Sequence, residues 1–169
     1  MSLMTSDEIS IREGPAPGDL GYIMYLHGDY YRRQHGYGLV FESYVAQAVH
    51  EFAGSHDPER DRVWLCEHQG RIVGSLLLMH RGRDTAQLRL FLVLPAYQGM
   101  GLGTRLIGLF LDFLRDRGYR SAYLWTTDEQ EAAVALYKQC GFALTEEKSS
   151  TAFGRLLREQ RYELVLEDY

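Results

Sequence analysis

The chain reads as an α/β fold of the mixed α+β kind: one sheet of six or seven strands flanked by four helices. Two observations predict it. Residues 62–68, 71–80 and 85–94 are three consecutive strand patterns joined only by turn residues, so the middle of the chain is antiparallel. A strand–helix–strand unit over 85–126 follows, and such a crossover requires a parallel neighbour in the same sheet.

The remaining elements follow from periodicity. Residues 9–13 alternate apolar and polar side chains, a short first strand. The turn cluster from Gly14 to Gly18 comes next, and Asp19 is placed to cap a helix running to about His35. After the break at Gly36 and Gly38, residues 41–53 repeat apolar side chains at 3–4 spacing, a second helix. Gln69-Gly70 joins the first two central strands as a tight hairpin. Leu102, Leu106, Leu109, Phe110, Phe113 and Leu114 mark a third, amphipathic helix that stops at Gly118. Residues 121–126 form a buried strand. A fourth helix then has two overlapping capping-box starts, Thr127 with Gln130 and Asp128 with Glu131, and ends at Cys140-Gly141. Residues 142–148 and 161–167 are the last two strands.

With 169 residues, a single domain over 4–169 is expected, with 1–3 read as a short leader before a native initiator Met4. There is no apolar run long enough to span a membrane. The net charge is -5 and Lys and Arg are not clustered, which argues against nucleic acid as a partner. Cys66 and Cys140 lie far apart without zinc-type spacing and fit a reducing cytoplasm. The six His lack metal-ligand spacing, so no metal is expected.

The chemistry concentrates in one loop. A strand ending Leu92-Val93-Leu94-Pro95 leads to Gln98-Gly99-Met100-Gly101-Leu102-Gly103-Thr104 and then to the third helix. The first turn of a helix presents unpaired N–H groups and the positive end of its dipole, and glycines let the backbone approach an anion closely. A phosphate-bearing ligand is therefore expected. A dinucleotide fingerprint fails in both registers, because Thr104 or Leu106 stands where its third glycine belongs. That reading is weakened rather than removed, since Asp128 lies at a plausible distance to bind a ribose. A P-loop fails too, because the loop ends Gly103-Thr104-Arg105.

These residues resemble the GNAT superfamily of acyl-CoA N-acyltransferases. Gln98 to Gly103 matches its Q/R-x-x-G-x-G/A loop, and Leu136-Tyr137-Lys138-Gln139-Cys140-Gly141-Phe142 matches its L-Y-x-x-x-G-F motif. Within that superfamily the chain is similar to the acetyltransferase half of proteins that fuse a MarR-type DNA-binding domain to such a domain. That finer likeness rests on Gly18 to Gly21, His27-Gly28, Tyr31, the Tyr37 to Glu42 region and Leu88 to Leu90.

The resemblance implies acetyl-CoA as co-substrate and a primary amine as acceptor, with direct attack in a ternary complex. Backbone amides of Gln98, Gly99, Met100, Gly101, Leu102, Gly103 and Thr104 would hold the pyrophosphate. Leu92 and Val93 would pair with the pantetheine arm from a bulged strand splayed from its neighbour. The Val93 N–H would polarise the acyl carbonyl, and Tyr137 would protonate the departing thiolate. Gln130, in place of the family's usual Asn, would contact CoA.

Acceptor residues are read from position. Strand alternation puts Arg89 on the face of Gln87, Phe91 and Val93, towards the substrate. An inward Arg needs an anion: a substrate carboxylate, Glu42 or another acid. Glu42, His27 or a water chain is the candidate base. Tyr31 and its neighbours on the first two helices read as cleft wall, with cation–π recognition of an amine as the sharper alternative. The expected function is N-acetyl transfer to a small-molecule amine, one bearing a carboxylate if Arg89 reads the substrate. The alternatives are a protein N-terminal or lysine acetyltransferase and a non-catalytic CoA- or effector-binding module. A homodimer is allowed but not required.

Overall fold

The computed structural model describes residues 3–167, so Met1 and Ser2 of the expected leader lie outside it and only the exposed Leu3 lies within. In chain order the elements are β1 (Ser10–Gly14), α1 (Asp19–His35), α2 (Leu39–Gly54), β2 (Arg62–His68), β3 (Arg71–His80), β4 (Thr85–Val93), α3 (Leu102–Asp116), β5 (Ser121–Thr127), α4 (Glu131–Gln139), β6 (Ala143–Ser150) and β7 (Leu157–Val165). Short 3-10 turns occupy Ser6–Glu8 and Pro95–Tyr97. The strands form one sheet in the order β1-β2-β3-β4-β5-β7-β6, antiparallel except for β4 beside β5. The seven strands and four α-helices agree with the mixed fold that the sequence predicts.

Both faces of the sheet are covered. The buried stripe of α3, Leu102, Leu106, Ile107, Phe110, Phe113 and Leu114, packs on one face against Trp64, Leu76, Leu78, Leu88 and Leu124. Ile23 of α1 and Phe52 of α2 pack on the other against Val63, Leu65, Leu77 and Met79. This double covering is why β3 is buried from Ile72 to Met79 instead of alternating. The Gln69-Gly70 hairpin has positive φ at both residues, 50° and 74°, as a two-residue turn matching strand twist requires.

Four local readings are corrected. Asp19 lies within the first turn of α1, with Gly18 as the N-cap. Its carboxylate accepts the Ala16 N–H at 2.7 Å and binds Arg12, so it fastens the preceding loop rather than capping the helix. Neither capping box forms at α4. Gln130 is the N-cap without a side-chain cap bond, and Asp128 accepts the Arg158 N–H at 3.1 Å instead. β7 begins four residues earlier than periodicity suggests, because pairing with both β5 and β6 carries the charged stretch Leu157 to Gln160 into the sheet.

The fourth correction shapes the site. Ser75 faces Leu92 and Leu77 faces Arg89, so Leu90 and Phe91 both lie opposite one residue of β3. Leu90 has φ of 48°, and the bulge inverts the alternation beyond it. Leu92 therefore joins the α1–α2 face, while Phe91 and Val93 join the α3 face with Leu88. Arg89 does not share a face with Phe91 and Val93.

Candidate active site

β4 and β5 pair only from Thr85 with Ser121 to Gln87 with Tyr123, then separate. Two cavities open at this divergence. The larger, about 500 Å³, is lined by Leu92, Val93, Gln98, Gly99, Gly101, Leu102, Gly103 and Thr104, with α4 opposite. The smaller, about 120 Å³, is lined by His27, Tyr31, Arg89, Tyr137 and a set of aromatic rings. Tyr31, Phe91, Gln130 and Ala133 line both, so the two spaces meet there.

The bulge holds this opening in place. The Ser75 hydroxyl donates to the Leu90 carbonyl at 2.9 Å, satisfying an acceptor that the disrupted ladder leaves over. Ser75→Ala should cost about 1–3 kcal/mol, the penalty for an orphaned buried acceptor. Chemical denaturation measures it, and an unchanged midpoint would contradict this role for Ser75.

The larger cavity fits a phosphate-bearing ligand on its own geometry. Gly99 and Gly101 both have φ of 79°, which side chains rarely adopt, and Gly101 immediately precedes α3. No side chain caps α3 and its first turn holds no acidic residue, so the N–H groups of Leu102, Gly103 and Thr104 are left for a ligand. Gly103 is needed for a different reason: a Cβ there would stand 3.3 Å from Leu136 and 3.4 Å from Phe91. The Gln98 side chain donates to the Val93 carbonyl at 2.8 Å and ties the loop to the strand. Met100 does not line the cavity; its side chain packs on the core.

Tyr137 is buried between Phe91 and Phe142, with ring centroids at 6.0 and 5.9 Å. It lines the smaller cavity, and its hydroxyl has no hydrogen-bond partner among the described residues. Burial pushes the phenol well above its ordinary pKa. Gln130 stands in the shared wall, 3.3 Å from His35 Nε2 and 3.5 Å from the Tyr31 hydroxyl.

Arg89 lines the cavity with its side chain only 12% exposed and is ion-paired, as an inward guanidinium must be. The partner is Glu51, at 3.3 Å, and not Glu42. Arg81 binds the same carboxylate, and the two guanidiniums hold it below the usual carboxylate range. Two cations on one anion leave this end of the cavity net positive. Arg89 also lies over the Tyr44 ring at 5.5 Å. Glu42 is exposed, lines neither cavity, and packs beside Gly28 on the α1–α2 seam.

His27 lines the cavity wall. Its Nδ1 bonds the Ile23 carbonyl at 2.9 Å, so Nδ1 carries the hydrogen, and the enclosed Nε2 has no partner among the described residues. Burial lowers its pKa to about 4, leaving it neutral at neutral pH. Tyr31 stacks between His27 and Tyr37 and contacts Phe41 at 4.6 Å. Wall residues missed in the sequence include Phe153, from the turn between β6 and β7, Trp125 of β5 and Glu159 of β7.

Comparison with known proteins fits this arrangement. The description "Acetyltransferase (GNAT) family" matches residues 21–142, and the chain belongs to that family. N-acetyltransferase 8F1 of Rattus norvegicus is 31% identical over 129 residues, covering 71% of this chain and 58% of that protein. The uncharacterized N-acetyltransferase YjgM of Escherichia coli (strain K12) is 33% identical over 82 residues, 47% of this chain and 49% of its own. The chain thus spans about half the length of the curated relatives it matches. Among solved structures, yncA of Salmonella typhimurium, determined with its cofactor acetyl-CoA, superposes with a TM-score of 0.67 at 20% identity, covering 96% of both chains. A ribosomal-protein-alanine N-acetyltransferase from Brucella melitensis gives 0.71 at 20% identity, covering 93% of this chain and 99% of that one. At such identities the likeness is one of fold.

Proposed function

We propose that this protein transfers an acetyl group from acetyl-CoA to the primary amine of a small molecule that also carries a carboxylate. The observation that carries the proposal is the pair of adjoining cavities: a roomy one on the glycine loop and a narrow one ending at Arg89. When bound, acetyl-CoA supplies an acyl carbon activated as a thioester.

The chain's residues do the rest. The amides from Gln98 to Thr104 bind the pyrophosphate at the dipole end of α3. The backbone of Leu92 and Val93 aligns the pantetheine arm, and the Val93 N–H stabilises charge developing on the acyl oxygen. Gln130 positions the arm where the cavities meet. Tyr137 holds a proton for the departing sulfur, and burial keeps it protonated through the working pH range. Tyr31 and the neutral His27 shape the acceptor wall. Proximity accounts for much of the rate, because both reactants are held at one junction.

A polypeptide acceptor would call for a wide groove lined by acids, whereas this cavity is about 120 Å³ with a net positive end. His27, Tyr31 and Arg89, three residues behind the finer resemblance to the MarR-fusion acetyltransferases, all line it. We also read 4–169 as one domain, because a single sheet runs from β1 to β7. A cytoplasmic site fits its two free cysteines, and among the described residues no helix is long and apolar enough to cross a membrane.

Arg89→Met tests the acceptor half. Glu51 keeps Arg81, so the fold should persist. KM for carboxylate-bearing amines should rise about 10- to 100-fold, the value of a hydrogen bond to a charged group, while carboxylate-free amines should be little affected. Steady-state kinetics on matched amine pairs measures the difference. An equal effect on both members would remove the carboxylate from the substrate.

A further inference from the structure

Among the described residues, one carboxylate lines the acceptor cavity and no side chain neutralises it. Glu159 of β7 stands opposite Thr127 of β5 and Lys148 of β6. It is half-buried and has no hydrogen bond or ion pair among the described residues. The cations around it are engaged elsewhere. Arg158 pairs with Glu147, and Arg161 pairs with Glu163 at 2.7 Å while lying over the Tyr123 ring. Lys148 Nζ sits 4.8 Å from the centre of the Trp125 ring. Of the other acids near the junction, Glu51 is held by two arginines, Glu129 by Arg155 and the Tyr37 hydroxyl, and Asp128 by the Arg158 N–H, while Glu131, exposed at the start of α4, lines the larger cavity and not this one.

A half-buried carboxylate among diverted cations suits a cation brought from outside. The walls agree, since Trp125, Tyr37 and Tyr44 present aromatic rings to the same space. Glu159 is also close to where chemistry must occur. Its strand partner Thr127 accepts the Gln130 N–H at 3.1 Å, and Gln130 belongs to the wall shared by both cavities.

We propose that Glu159 receives the acceptor's ammonium group and removes its proton so that the nitrogen can attack. This rests on the acetyl-transfer reading. Glu159 takes one ammonium proton and frees the nitrogen lone pair. The nitrogen–carbon bond forms, the carbon–sulfur bond breaks, and its electron pair stays on sulfur. Tyr137 protonates the sulfur and is restored by the second nitrogen proton, while the proton on Glu159 leaves to solvent.

The placement also narrows the substrate class. Glu159 and Arg89 stand on β7 and β4, with β5 between them, and because β4 and β5 diverge beyond Gln87 they are no closer across the sheet than two strand spacings, about 10 Å. The Arg89 guanidinium is drawn further away, towards Glu51 and Tyr44 of α2. The acceptor is thus an amine whose carboxylate lies several bonds away, such as an ω-amino acid, rather than an α-amino acid.

The test compares the full chain with its Glu159→Gln and Glu159→Asp variants, using 4-aminobutanoate, 5-aminopentanoate, leucine, ethylamine and 2,2,2-trifluoroethylamine as acceptors. Glu159→Gln should lower kcat/KM about 10²- to 10⁴-fold, with Glu159→Asp recovering part of it and acetyl-CoA affinity unchanged. The defect should shrink with the weakly basic trifluoroethylamine, which a purely structural role would not produce. The ω-amino acids should outperform leucine. Activity of Glu159→Gln within threefold of the parent, or a defect independent of amine basicity, would overturn the proposal. Should the parent protein transfer acetyl to none of these amines, the acetyl-transfer reading itself has failed. Calorimetric titration of 5-aminopentanoate then judges Glu159 alone: parent binding weakened at least tenfold by Glu159→Gln supports it, and equal or absent binding overturns it.

Discussion

Tyr137→Phe should lower kcat about 10²- to 10⁴-fold, the usual contribution of a positioned proton donor, without unfolding the protein. The ring fills the space between Phe91 and Phe142, and phenylalanine keeps that packing. The hydroxyl has no hydrogen-bond partner among the described residues, so its removal orphans nothing. Stability should stay within about 1 kcal/mol of the parent. Burial raises the phenol's pKa, so Tyr137 remains a donor at every ordinary assay pH and should not itself produce an alkaline fall in rate. Initial rates over a pH series and a thermal melt measure both halves. Full turnover by the variant would remove Tyr137 from the chemistry.

Thr104→Glu should separate stability from donor binding. Thr104 is exposed, lies in the first turn of α3 and lines the larger cavity. A carboxylate at a helix N-terminus is stabilising by about 0.3–1 kcal/mol, so the melting temperature should hold or rise slightly. The same charge would face the pyrophosphate of the donor. Two unit charges about 5 Å apart at an effective dielectric of about 20 repel by roughly 3 kcal/mol. Acetyl-CoA affinity should therefore fall about 100-fold. Calorimetric titration beside a thermal melt reads both signs, and unaltered affinity would place the pyrophosphate elsewhere.

The parts legible in the sequence are those set by local geometry. Gly99 and Gly101 stand out because positive φ favours glycine, and the α3 stripe because six apolar side chains keep helical spacing. The bulge was not legible at its residue, since leucine has no local preference for the φ that Leu90 adopts. The family resemblance supplied a bulged strand, but not its consequence for which side chains share a face. Glu159 escaped notice for a related reason. It lies in the charged start of β7, which becomes strand only through pairing on both sides. Glu51 was overlooked in favour of Glu42 because both lie on α2, and only the tertiary course of β4 decides which of them meets Arg89.

In the proposed reaction, two adjoining cavities hold donor and acceptor together for direct attack. Initial rates of CoA thiol release, measured with both acetyl-CoA and 5-aminopentanoate varied, decide whether they do. Release should depend on the amine and give intersecting double-reciprocal lines, as a ternary complex requires. Parallel lines, the signature of a covalent acetyl-enzyme, or release that ignores the amine would contradict it.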